Sequence, residues 1–155
     1  MTGTYLLDTN VVSLLLRDDT DKAVQGVVQA LPKDFTFLSA ITIGEVQRGI
    51  SRLPTGKRRT ELEDWFIRIQ EMYADVILAI TRDTALIWGE LTAHTQAIGY
   101  TIKAPDLLIA ATALEHDLTV VTRNVKDFAP TGVSLLDPWN PPPSPASVAD
   151  TDVES

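Results

Sequence analysis

Short apolar runs and longer stretches with apolar residues at helical spacing take turns along this chain, and that succession predicts its elements. Residues 5–7 form an apolar run that ends at Asp8. Val11, Val12, Leu14, Leu15 and Leu16 then predict a buried helix over 10–17. Ala23, Val24, Val27, Val28 and Leu31 mark a helix over 22–31 that Pro32 stops. A second strand is expected over 35–39, followed by a helix capped by Thr42 and running to about Arg52. After the Pro54–Gly56 break another helix starts near Lys57, with Leu62, Trp65, Phe66, Ile69, Met72 and Tyr73 at 3-4 spacing. A third strand is expected over 76–80. Thr81 opens a long helix with Ile87, Trp88, Leu91 and Ile98 on one side, closed at Gly99. Pro105 sits at the first position of a helix over 104–116 that is apolar around most of its circumference. Runs at 119–122 and 133–136 complete the strands.

Strands that alternate with helices predict an α/β domain of three layers, α/β/α, with a mainly parallel central sheet. This unit spans residues 1–139. Beyond it, residues 140–155 are rich in Pro, Ser and acidic side chains, cannot bury enough apolar surface to fold, and read as a disordered tail.

Composition narrows the chemistry. Among 155 residues there is no cysteine, which removes disulfides, thiolate ligands and thiol nucleophiles together. The longest apolar runs fall far short of the ~18 residues needed to span a bilayer, and residues 1–7 lack the features of a secretory signal. A soluble, cytoplasmic protein without membrane contact is the expectation. The net charge of −8 seems hostile to a nucleic-acid ligand, but four of the 21 acids (Asp137, Asp150, Asp152 and Glu154) sit at the C-terminal end. Five of the 13 bases (Arg48, Arg52, Lys57, Arg58 and Arg59) share an acid-free stretch between Glu45 and Glu61.

The sequence holds no P-loop, GxGxxG, HExxH, GxSxG or zinc-spaced histidine cluster. What remains is the placement of acids. Functional crevices of open α/β sheets lie at the carboxyl ends of the strands. Asp8 follows the first strand, Glu45 lies in the first turn of the helix after the second, Asp106 in the first turn of the late buried helix, and Asn124 and Asp127 just beyond the fourth strand. Each has a plain structural explanation: Asp8 as a helix N-cap, Thr42-x-x-Glu45 as a capping box, Asp106 as a favourable charge at a helix N-terminus. Together on one rim they repel one another unless a cation intervenes. Mg²⁺ or Mn²⁺, which take oxygen ligands, would resolve that repulsion and bring phosphoryl-transfer chemistry.

Four blocks carry a family resemblance: Leu6-Leu7-Asp8-Thr9-Asn10; Ser39-Ala40-Ile41-Thr42-Ile43-Gly44-Glu45-Val46 with Arg48-Gly49-Ile50; Ala104-Pro105-Asp106 with Ile109-Ala110-Ala111-Thr112-Ala113; and Val121-Thr122-Arg123-Asn124 with Asp127-Phe128. In this order they resemble the motifs of PIN-domain ribonucleases, in particular the VapC and FitB toxins of bacterial toxin–antitoxin pairs, from Tyr5 to Trp139. The resemblance implies an endoribonuclease dependent on Mg²⁺ or Mn²⁺, with Asp8, Glu45 and Asp106 as acidic site residues. It also implies a cognate antitoxin that blocks the rim, and a homodimer. The chain departs from many relatives at the fourth acid, where Asn124 follows Thr-Arg. Either Asp127 supplies the charge and Asn124 a neutral oxygen, or Asp127 merely forms a turn before Phe128; Asp8, Asp106, Asn124 and Asp127 are the candidate metal ligands, and Asp127 joins Asp8, Glu45 and Asp106 as a candidate catalytic acid. Thr9 and Thr122 either position water or phosphate or bond local backbone; Arg48 and Arg52 either grip phosphates or form a solvated face.

His94 reads as a core or interface histidine, His116 as a partner of its helix's carbonyl end, and Trp65, Phe66 and Tyr73 as core or dimer contacts rather than a base-stacking platform. Two other functions compete. An aspartate-based phosphotransfer domain would share the doubly wound sheet, but Asp8-Thr9-Asn10 lacks its second Asp. A non-catalytic partner of a DNA-binding regulator would keep the fold without needing the acids.

Overall fold

The first strand shows why the sheet has a covered centre. In the computed structural model, which describes residues 3–15 and 22–142, β1 (Tyr5–Leu7) is buried at all three positions. A strand covered on both faces needs no polar alternation. Leu6 packs with Leu91, Leu107, Ile109, Val120 and Phe128 on one side. Tyr5 and Leu7 pack with Val11, Val12, Val46, Ile50 and Phe66 on the other.

Five strands form one sheet: β1, β2 (Thr36–Ser39), β3 (Ile77–Leu78), β4 (Thr119–Val121) and β5 (Leu135–Leu136), in the order β3-β2-β1-β4-β5. Every pairing is parallel, with Leu6 opposite Phe37 and Leu7 opposite Val121. Seven α-helices are described: α1 (Thr9–Leu14), α2 (Lys22–Gln29), α3 (Ala40–Ser51), α4 (Lys57–Met72), α5 (Arg82–Ala97), α6 (Ala104–His116) and α7 (Val125–Phe128). Helices α1, α2 and α4 bury their apolar residues on one face of the sheet, α5, α6 and α7 on the other. The expected three-layer α/β/α arrangement is therefore present, with a sheet that is wholly parallel. No helix among the described residues is long and apolar enough to cross a membrane.

The chain builds outward from β1 to β2 and β3, then returns through α5 and α6 to lay β4 against the other edge of β1. The order reverses between β1 and β4, and their carboxyl ends flank the crevice that such a reversal opens.

Several boundaries differ from expectation. Helix α3 starts at Ala40, capped by Ser39, whose hydroxyl accepts from the Ile41 N–H at 3.2 Å. Thr42 lies inside the helix and is fully buried, so the Thr42-x-x-Glu45 capping box does not form and Glu45 sits in the second turn. Serine caps somewhat better than threonine, and Ser39 stands at the strand end. Helix α1 starts one residue earlier than expected, at Thr9, with Asp8 as N-cap. Pro105 is the second residue of α6 rather than the first. The third strand shrinks to Ile77–Leu78 because it is an edge paired only with β2, and residues 74–76 coil into a 3-10 turn before it. The last strand likewise keeps only Leu135–Leu136. On α5, Leu91 is buried as expected but Ile98 is half exposed, and Thr84 and Thr95 take buried positions instead. His94 is exposed, which removes the core placement. Residues 16–17 of the first expected helix, and 143–155 of the tail, lie outside the described residues.

Candidate active site

Asp8 stands at the carboxyl end of β1 and is 3% exposed. Its Oδ1 accepts from the Thr9 N–H at 2.8 Å, the N-cap bond, and its Oδ2 accepts from the Thr122 hydroxyl at 2.7 Å. The capping and site explanations are therefore both true of one carboxylate. Burial pushes its pKa up, the bonds from Thr122 and Thr9 pull it back, and Glu45 and Asp127 add repulsion.

Thr122 follows β4 and gathers three groups. Besides donating to Asp8, its Oγ1 accepts from the Asn124 N–H at 2.9 Å and from the Asn10 amide at 3.4 Å. Thr9 plays the matching part on the other side, donating to Glu45 Oε1 at 2.6 Å while its oxygen lies 3.2 Å from that of Thr42. Both hydroxyls thus spend their protons on carboxylates rather than on backbone carbonyls. Glu45 Oε2 is 3.9 Å from an Arg48 nitrogen, one turn along α3.

A cleft of about 600 Å³ is lined by Asp8, Thr9, Asn10, Glu45, Arg48, Lys103, Asp106 and Asn124, among others. Three acids expected on one rim therefore share one cleft. Asp127 does not line it; it lines an adjoining hollow of about 290 Å³ whose wall includes Lys103, Asp106 and Asn124. Arg48 is in the cleft wall, whereas Arg52 lines neither space and its N–H closes the end of α3. Asn124 precedes α7 without a side-chain capping bond. The other expected contacts divide simply: Phe66 is buried, Trp65 and Tyr73 pack against the core, and His116 lies 3.5 Å from Glu115.

Asp106 carries the electrostatic signature of the site. Its pKa is raised to about 6, first by burial, then by the charges of Asp8, Glu45 and Asp127, with Lys103 opposing. Asp106 therefore feels the charge of three other acids, although no three Asp, Glu or His side chains among the described residues gather closely enough to cage an ion. Mg²⁺ holds several of its own waters and takes only one or two carboxylates. The hard oxygen donors of Asp8, Asp106 and Asn124 fit such a partly hydrated ion.

Lys103 was not singled out from the sequence, yet it lines both spaces and its charge pulls the raised pKa of Asp106 back down. Its position three residues before Asp106, at the N-cap of α6, was the available signal.

The family model described as PIN domain matches residues 5–131. VapC ribonuclease Y4jK of Sinorhizobium fredii is 34% identical over 137 residues, covering 88% of this chain and 98% of the relative. Toxin FitB of Neisseria gonorrhoeae is 35% identical over 136 residues, covering 87% and 98%. Among solved structures, FitAB bound to a DNA fragment matches with a TM-score of 0.85 at 33% identity, over 90% of this chain and 99% of that one.

Proposed function

The chain belongs to the PIN-domain family, and from that premise we propose that it is a metal-dependent endoribonuclease, the toxin of a type II toxin–antitoxin pair, acting in the cytoplasm. The observation that carries this reading is the cleft at the β1–β4 crevice that Asp8, Glu45 and Asp106 share, where burial and the neighbouring acids raise the pKa of Asp106. Bringing several carboxylates together costs stability, and a divalent cation offsets that cost. A bound Mg²⁺ or Mn²⁺ supplies activation of water at neutral pH and stabilises charge on the phosphoryl oxygens.

Asp8, Asp106 and Asn124 would hold the ion from the cleft wall, with Asp127 joining from the adjoining hollow. Glu45, fixed by the Thr9 hydroxyl, is the carboxylate assigned to accept a proton from the attacking water. Thr9 and Thr122 are positioning residues, each orienting a carboxylate. Arg48 and Lys103 bring positive charge to the same wall and would meet the strand's phosphates. Residues 1–139 form the nuclease unit, and 140–155 carry none of this chemistry. A small cognate antitoxin would cover the rim with a basic side chain taking the cation's place, and apolar helical surface such as Leu86 on α5, more than half exposed, would join two copies. The phosphotransfer and non-catalytic readings find no support in the family match or in the assembled acids.

Total cellular RNA incubated with the protein, with and without Mn²⁺, and mapped by end sequencing tests the proposal. Discrete new ends that need the metal and vanish in Asp106→Asn are the expected result. Equal cleavage in EDTA, or none with metal present, overturns it.

A further inference from the structure

Beside the cleft lies a second hollow, of about 290 Å³, lined by Asn10, Ser13, Leu14, Arg123 and Trp139. Asn10 also lines the cleft, so the two spaces share a wall. Building on the ribonuclease reading above, we propose that Arg123 and Trp139 form a shelf on which one nucleobase of the RNA strand, close to the phosphate being cut, stacks.

The shelf has a fixed base and a polar, charged outer side. Trp139 packs against the core cluster of Leu7, Val11 and Val121, and its backbone N–H donates to Asp137 Oδ1 at 2.9 Å. The backbone is thus anchored and the ring rests on the core. The Arg123 guanidinium carbon lies 5.0 Å from its centroid, within cation–π range. Arg123 is exposed and makes no ion pair with any described residue. A planar cation resting on a planar ring is the surface on which unstacked RNA bases settle. The other indole and phenyl rings considered for stacking, Trp65 and Phe66, face the core.

Hydrogen bonds tie this shelf to the acids. The Arg123 backbone N–H reaches Asn10 Oδ1 at 3.5 Å, the Asn10 amide donates to Thr122 at 3.4 Å, and Thr122 donates to Asp8. A base seated there therefore lies at a set distance from the carboxylates, which turns stacking into a choice of which phosphodiester enters the cleft. Because the base is bound alike before and during cleavage, the shelf acts on KM and leaves kcat nearly unchanged.

The test uses an RNA oligonucleotide with one mapped cleavage site, in which a single abasic nucleotide is walked through the neighbouring positions. Wild type, Arg123→Ala and Trp139→Phe are compared, the last retaining a ring in the core. In wild type one abasic position raises KM about tenfold, the size of a lost base–aromatic stack. Arg123→Ala raises KM for intact RNA but adds nothing for RNA abasic at that position. A flat walk with normal cleavage overturns the shelf alone, as does an Arg123→Ala effect that simply adds to the abasic one. No cleavage of any RNA by wild type overturns the shelf together with the function beneath it. Loosened antitoxin capture by Arg123→Ala with unchanged RNA kinetics assigns the hollow to a protein partner and overturns the shelf.

Discussion

Thr122 donates its hydroxyl proton to Oδ2 of Asp8 at 2.7 Å, joining the ends of β4 and β1 across 114 residues of sequence. The bond lies where the strand order reverses, so it closes the floor of the crevice as well as orienting a carboxylate. Thr122→Val keeps the shape and removes the donor. The buried Oδ2 then loses its partner, and a loss of about 1–3 kcal/mol in chemical denaturation is expected, with Thr122→Ser largely restoring it. Unaltered stability in the valine variant would show that the bond contributes nothing to the fold.

The acids of the cleft should respond unequally to neutralisation. Asp106→Asn removes a half-solvated charge that its neighbours oppose, so the metal-free protein should gain roughly 1 kcal/mol after discounting for solvent. Asp8→Asn should lose stability, because an amide nitrogen would face either the Thr9 N–H or the Thr122 hydroxyl, both donors. Both variants should lose cleavage. Melting in EDTA separates the two signs, and a destabilised Asp106→Asn would point to a capping role at α6 instead.

The pH dependence follows from the same raised group. Its folded pKa of about 6 exceeds the ordinary value of 3.8, so the folded chain binds this proton more tightly than the unfolded one. The resulting cost to stability is full above pH 6 and disappears below about pH 4. Protons also compete with the cation, so Mn²⁺ affinity should weaken as pH falls through 6. Calorimetric titration from pH 5 to 8 checks this, and Asp106→Asn should flatten the profile.

Asn124 lines both the cleft and the adjoining hollow, Asp127 only the hollow, which gives them different tests. Asn124→Asp adds a carboxylate to the wall shared with Asp8 and Asp106; it should tighten Mn²⁺ and lower the melting temperature of the metal-free protein. Asp127→Asn should weaken Mn²⁺ modestly. A silent Asp127→Asn would confine that residue to the first turn of α7.

Arg48 and Arg52 are no longer equivalent. Arg48→Glu should weaken RNA binding and lower the salt slope by roughly 0.7, one phosphate contact on a single strand. Arg52→Glu, outside the cleft, should leave the slope nearly unchanged. Fluorescence anisotropy of labelled RNA between low and moderate salt measures both.

Much of this was legible from residue type and order. Short apolar runs such as 5–7 and 119–121 belong to covered parallel strands, and acids placed just after them were bound to meet at one end of the sheet. The cap of α3 was misjudged because Ser39 and Thr42 are chemically alike and only the strand's exact end distinguishes them. Helix α7 was missed because its single turn is held by the burial of Phe128, a tertiary contact without a period to detect. Lys103 is the weaker kind of signal, because a lysine three residues before an acid gains meaning only once the fold turns both toward one cleft. The partners of Thr9 and Thr122 belong to the same class, since a threonine's sequence neighbours do not reveal that its proton goes to a distant carboxylate.

The central position of β1 also sets a schedule for synthesis. Leu7 pairs with Val121, and the Asp8 N–H bonds to the Val121 carbonyl at 2.9 Å, so the amino-terminal strand waits for partners made more than a hundred residues later. At translation speeds of roughly 5–20 residues per second, the growing polypeptide spends several seconds on the ribosome with Asp8 already made and Asp106 and Thr122 still missing. The carboxylates of the cleft therefore meet only after β4 has been made, a delay written into strand order alone.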